Sequence, residues 1–389
     1  MSASPLSYAR TMSAANKKIL IARPTVGEPE LDAVRAVFDS GWLGMGEVTR
    51  EFERRLAELI GVPHVVGVSS GSAALYLALT ALTLEPGDEV VLPSLTHVSC
   101  AQAVIAAGAT PRFCDVTADT ATLDPASVEH ALGARTRAII LVHYGGFGSG
   151  IDDLVALARD HGLRIVEDAA HALGSHDRGR PLGSIGDLSC LSFDPLKNVT
   201  CGEGGAIATS DAVLAKQLRA SRNLGIVSDS LERRRSATPW FYEAATAGMR
   251  YHLPDVNAAI GLAQLERFDE RRARKQAIVR RYRQGLAGID GIEPLAGDID
   301  ATFPFLCAAR VSDGRRDAVV QSLGALGIQA WVHFVPCHLQ PAFSAYSRSL
   351  PVTELLYGEL VSLPLHADLG DADVDRVLAA VRQALGAAS

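Results

Sequence analysis

From Pro63 to Thr209 the chain alternates short β-branched apolar runs with stretches of helical periodicity. Residues 64–68, 89–92, 110–116, 138–142, 163–167, 188–193 and 205–209 read as strands. Residues 73–84, 100–107, 125–132 and 151–161 read as the helices between them. Strands that alternate with helices specify an α/β fold with a mostly parallel central sheet covered by helices on both faces. Ligands of such sheets sit beyond the carboxyl ends of the strands.

The pattern then changes. Residues 255–282 form one long, charged helical stretch that reads as a link between two domains. Beyond Gly291 come a strand (305–311), a helix (316–326), a strand (329–334) and a last helix (373–385), a smaller C-terminal α/β domain. The partition expected is an arm at 1–18, a large domain at 19–270 and a small one at 271–389. Residues 227–247 are charged and irregular and read as a loop over the active site.

Composition narrows the class. With 389 residues, two domains are the default. An apolar share of 48% and a charged share of 21% are those of an ordinary soluble globular protein. A net charge of -7 offers no footprint for nucleic acid or an anionic membrane. No apolar run is long enough to cross a bilayer, and the polar N-terminus lacks the apolar centre of a secretory signal. The six cysteines form no CxxC pair and show no metal spacing, so they read as buried free thiols of a cytoplasmic protein, with no metal site.

Three segments carry candidate chemistry. Ser69-Ser70-Gly71-Ser72-Ala73-Ala74-Leu75 lies between a strand and a helix. It reads either as a phosphate cradle of free backbone N–H groups or as a plain N-cap, with Ser72 as the capping residue. Its spacing fits neither a dinucleotide fingerprint nor a P-loop. In Glu167-Asp168-Ala169-Ala170-His171, Asp168 falls where an apolar strand ends. A carboxylate there can pair with a protonated pyridine nitrogen and keep that ring electron-poor, or simply cap a helix. His171 can order Asp168, reach a ring oxygen or serve as a core histidine. In Ser192-Phe193-Asp194-Pro195-Leu196-Lys197, a lysine follows a buried strand and precedes the return Gly202-Glu203-Gly204-Gly205. Burial and nearby positive charge would lower its amine pKa and favour a Schiff base; the plain alternative is a solvated loop lysine.

Together these segments resemble the DegT/StrS-type nucleotide-sugar aminotransferases, fold-type I enzymes that use pyridoxal 5'-phosphate (PLP). Further similar segments are Ser40-Gly41-Trp42, His333-Phe334, His338-Leu339-Gln340-Pro341, Leu350-Pro351-Val352-Thr353-Glu354 and Ser362-Leu363-Pro364-Leu365. The resemblance covers nearly all of the chain after about residue 20. It implies that Lys197 carries the Schiff base and shuttles protons, that Asp168 faces the pyridine nitrogen, and that His171 belongs to the catalytic group. It implies that Gly71, Ser72 and Ser192 hold the phosphate, with Ala73 and Arg250 also on the cofactor. His97 stands where relatives often stack an aromatic ring. His333, His338 and Tyr251 are implied at the substrate mouth. The reaction implied moves an amino group from an amino acid, L-glutamate by expectation, to a keto-sugar nucleotide in amino-deoxysugar biosynthesis. A cyclitol or other ring ketone as acceptor, or a catalytically silent PLP-fold binding protein, are the rivals. The family works as a homodimer with each site completed by the partner chain. Two positions depart from many relatives, which have Asn and Arg where this chain has Arg250 and His252.

Overall fold

A computed structural model describes residues 18–148, 150–228, 238 and 240–386. Of the arm expected at 1–18 only Lys18 is among them, and the middle of the expected loop at 227–247 lies outside the described residues.

Two helices, α1 (Glu28–Ser40) and α2 (Glu47–Ile60), precede the alternating region. The alternation then runs β1 (His64–Val68), α3 (Gly71–Ala81), β2 (Glu89–Pro93), α4 (Val98–Ala106), β3 (Thr110–Cys114), α5 (Pro125–Ala131), β4 (Thr136–Val142), α6 (Ile151–Asp160) and β5 (Arg164–Asp168). A two-stranded ribbon, β6 (His176–Asp177) and β7 (Arg180–Pro181), leads to β8 (Leu188–Ser192), β9 (Gly205–Thr209) and α7 (Ala212–Ser221). The seven-stranded sheet has the order β1-β9-β8-β5-β4-β2-β3. Strand β9 is antiparallel to both neighbours, and the other four pairs are parallel. One apolar cluster lies on each face, centred on Phe52, Ile139 and Phe193 on one side and on Leu77, Ile140 and Ile207 on the other. Adjacent residues of β4 therefore serve opposite cores, as a sheet covered on both faces requires.

The sheet topology brings distant segments to one edge. The carboxyl ends of β4, β5 and β8 point the same way, and the reversed β9 brings its first residue, Gly205, opposite both Val68 and Ser192. The turns after β1, β5 and β8 thus meet there.

The long helix expected at 255–282 is two helices, α8 (Asp255–Glu266) and α9 (Phe268–Leu286). They break at Arg267, whose φ of -110° and ψ of 21° leave the helical region. The break lets Phe268 turn inward and pack edge-on against Phe303. A second sheet joins β10 (Ile292–Pro294), β11 (Cys307–Val311) and β12 (Leu360–Leu363), all antiparallel. Helices α10 (Arg316–Ala325), α11 (Pro351–Glu359) and α12 (Asp371–Leu385) accompany it around a third apolar cluster that includes Tyr282 and Val377. The strand expected at 329–334 does not form. That segment makes a single isolated bridge, Trp331 with Ser362, and Ile328 just before it bridges to Ile19. Among the described residues no helix is long and apolar enough to cross a membrane.

Candidate active site

The turn after β1 opens the site. Ser70 has extended backbone, and its hydroxyl accepts from the N–H of Ala73 at 3.1 Å, so Ser70 rather than Ser72 caps α3. Among the described residues the N–H groups of Gly71 and Ser72 carry no hydrogen bond. They stand at the positive end of the helix. Gly71 lies against Ser192; a Cβ there would come within 2.8 Å of the serine's own Cβ. Gly205 passes beneath, and a Cβ on it would lie 2.4 Å from the Ser70 carbonyl. Both glycines are needed because backbone and serine approach too closely for any side chain.

Strand β5 supplies the acid. Asp168 is 7% exposed. Its Oδ1 accepts from the Ala170 N–H at 3.1 Å and its Oδ2 from the Cys100 thiol at 2.9 Å. His171 makes no hydrogen bond to it, so the ordering role left open for that histidine falls to Cys100 and Ala170. The His171 ring stacks on Phe305 at 4.0 Å and 21°, and its Nδ1 is buried without a partner among the described residues. Burial, then the charges of Lys197 and the neighbouring histidines, pushes its pKa well below the usual histidine value, so the ring is neutral.

Lys197 follows β8 on a tightly tied turn. Its N–H donates to the Asp194 carbonyl at 3.0 Å, and the Leu196 N–H to Asp194 Oδ1 at 3.0 Å. The return segment closes on Phe193, whose N–H donates to Gly204 O at 2.8 Å. On the far side Lys275 of α9 donates to Asn198 Oδ1 at 2.7 Å, and Asn198 Nδ2 donates to Phe303 O at 3.0 Å. The Lys197 Nζ lies 4.4 Å from the centre of the Phe305 ring. Burial lowers the pKa of this amine, with Asp168 and Asp194 pulling the other way. Lys275 is still more deeply enclosed; burial, Arg271 and Lys197 bring its pKa down to about 7.

The turns after β1, β5 and β8 line one cleft of about 320 Å³. Of the residues singled out in the sequence, Gly71, Ser72, His97, Asp168, His171, Ser192, Lys197 and His333 line it. His97 caps α4 and meets Phe334 edge-on at 5.7 Å. His333 bonds Ser362 Oγ at 2.8 Å, and burial followed by Lys197 lowers its pKa to about 4. Other candidates stand elsewhere. Ala73 and Tyr251 face a neighbouring, more open groove, which they share with Ser72 and His97. Arg250 is exposed and pairs by its backbone with Asn223. His338 is buried 2.6 Å from Ser94 Oγ and 3.5 Å from Glu354, a contact that fastens the 337–339 turn to the end of β2. Cys100, Lys275 and Phe305 were not anticipated. Each is an ordinary helix or strand residue in its local sequence, and only the tertiary fold brings it to the site.

The residues present fit a phosphorylated pyridine aldehyde. Free N–H groups at a helix start suit a phosphate, and a buried carboxylate suits a ring N–H. A desolvated amine suits an aldehyde, and the neutral His171 with its unpaired Nδ1 suits a ring oxygen.

Comparison with known proteins agrees. The profile of the DegT/DnrJ/EryC1/StrS aminotransferase family matches residues 24–382. The aminotransferase TlmJ from Streptoalloteichus hindustanus is 38% identical, with a TM-score of 0.89 over 95% of this chain and 99% of that one. The putative sugar aminotransferase Spr1654 from Streptococcus pneumoniae, in its PMP form, is 30% identical, with a TM-score of 0.90 over 95% and 99%. DesI, crystallised with its TDP-sugar product, is 33% identical, with a TM-score of 0.86 over 96% and 94%. The chain belongs to the DegT/DnrJ/EryC1/StrS aminotransferase family and is a fold-type I, PLP-dependent transaminase.

Proposed function

We propose that the chain transfers the amino group of L-glutamate to a keto-sugar carried on a nucleotide. The supporting observation is that the Lys197 amine and the Asp168 carboxylate line the same cleft, together with the stacked His171 and Phe305 rings. DesI, which shares the whole fold, is solved with a TDP-sugar. When bound, the cofactor would supply the aldehyde that carries the amino group between donor and acceptor. The protein's own groups do the rest. The N–H groups of Gly71 and Ser72 and the Ser192 hydroxyl hold the phosphate. Asp168 keeps a proton on the ring nitrogen. Lys197 anchors the cofactor through Nζ and, once displaced by the donor, moves a proton on that same atom. His97 and His171 cover the ring, and burial keeps His171 neutral so that it adds no positive charge there. His333 stands at the mouth for the acceptor.

The reading also includes a homodimer in the cytoplasm. The open groove at Ala73 and Tyr251 and the exposed Arg250 are then offered to a partner chain.

The test is a visible spectrum of the PLP-loaded enzyme before and after L-glutamate, followed by nucleotide keto-sugars and then cyclitol ketones. Loss of the long-wavelength band with glutamate and its return with one keto-sugar nucleotide is the expected result. Return only with a cyclitol ketone replaces the acceptor, and no response to any amino acid overturns the transfer. Light scattering of the same sample reports the dimer.

A further inference from the structure

The cysteines read from sequence as plain buried thiols, and for five of the six no bond to a catalytic group is found among the described residues. Cys100 is different. It lies in the first turn of α4, fully buried, with Sγ 2.9 Å from Asp168 Oδ2 and 3.3 Å from Thr96 Oγ1. Among the described residues, the thiol and the Ala170 N–H are the only donors to that carboxylate. An ionised carboxylate can only accept, so the thiol proton must point at Oδ2.

We propose that Cys100 is a positioning residue for the ring-facing acid: its S–H fixes the Asp168 carboxylate with each oxygen held by one protein donor and the remaining lone pairs left to the cleft. It rests on the assignment of Asp168 to the cofactor's ring nitrogen. A thiol is well suited to this place. It is a weak donor, so it sets the rotamer of the carboxylate while withdrawing little of the negative charge that must hold a ring proton. Thr96 completes the chain from the other side, since its hydroxyl is within reach of the sulfur. The thiol stays protonated in this role, because burial and the adjacent Asp168 raise its pKa well above the usual thiol value.

The experiment has two arms, run on wild type, C100A, C100S and D168N, each first confirmed as folded by circular dichroism and thermal melting. In the first, the S–H stretching band of the apoenzyme is recorded in the infrared. One thiol of the wild type absorbs at lowered frequency, that component vanishes in C100A, and it moves back towards the free-thiol position in D168N. In the second, PLP affinity is titrated by absorbance. Loss of one bond to a charged group weakens binding by about tenfold in C100A. The hydroxyl of C100S restores it to within about threefold of wild type. A folded C100A that binds PLP as tightly as wild type overturns the proposal. So does a low-frequency S–H band that persists unchanged in D168N. Should wild type take up no PLP at all, the cofactor assignment fails, while the infrared arm still decides whether the thiol is bonded to Asp168.

Discussion

Two carboxylates sit side by side on β5, and they are used in opposite ways. Glu167 is wholly buried, with five donors around it: the N–H groups of Gly183, Ile185 and Gly186, the Ser189 hydroxyl and the His143 ring, all within 2.7–2.9 Å. Among the described residues Asp168 has two donors, and it has a face on the cleft. Successive side chains of a strand point to opposite faces, so a single residue step separates the two environments. The carboxylate with all its lone pairs occupied braces the fold. The carboxylate with capacity to spare is available to a ligand.

The contrast is broken most sharply by amidating each acid in turn. Asp168→Asn keeps the size and most of the bonding but removes the charge. Its transamination rate should fall by roughly a thousandfold with little change in melting temperature, measured as single turnovers with L-glutamate. A rate within tenfold of wild type would return Asp168 to a capping role. Glu167→Gln should do the reverse. An amide cannot accept from five donors, and two or more of them become buried and unpaired, at about 3 kcal/mol in denaturant unfolding.

The same acid sharpens the comparison through pH. Burial raises the pKa of Glu167, but the His143 ring, the Gly186 N–H and the Ser189 hydroxyl prevail and hold it down to about 2. The stability it supplies is present above the ordinary carboxylate value near 4.5 and is lost as pH falls from there towards 2. Unfolding curves of wild type should therefore steepen over that window, and those of Glu167→Gln should be flatter.

Gly71→Ala tests the cleft wall. The added methyl meets Ser192 at 2.8 Å, so phosphate affinity should drop by about tenfold, read as PLP dissociation. Lys275→Met acts on stability through pH. The folded pKa near 7 lies below the 10.5 of a free lysine, so between those values the unfolded chain holds more protons and stability rises with pH. The variant should lose that rise. Its stability relative to wild type should be most favourable below pH 7 and decline towards pH 10.

Much of this was legible in the chain. The strands of the large sheet, the turns after them and the three motif segments announce themselves by local pattern, because a buried strand followed by Gly, Asp or Lys is a local signal. What was not legible is non-local. The break at Arg267 is made by Phe268 turning to Phe303, a partner far along the chain. The missing strand at 329–334 is a matter of pairing, since only Trp331 of that segment bridges to β12, at Ser362. Cys100 and Phe305 belong to the site only because α4 and the approach to β11 are folded over it. Ser72 was named as the cap where Ser70 serves, a shift of the helix start that spacing alone does not resolve.

The reversed strand β9 has a consequence for how the protein is made. Because β9 is inserted between β1 and β8, the N-terminal strand gains its place in the sheet only after Thr209 has been synthesised. The seat under Ser70 is the backbone of Gly205, so a nascent chain that has emerged only as far as β8 has no finished phosphate cradle. Such long-range closure is slow relative to local helix formation. The phosphate cradle therefore cannot be complete before the chain has been extended past Gly205, and free PLP acts by mass action on the closed sheet, trapping the folded form rather than templating it.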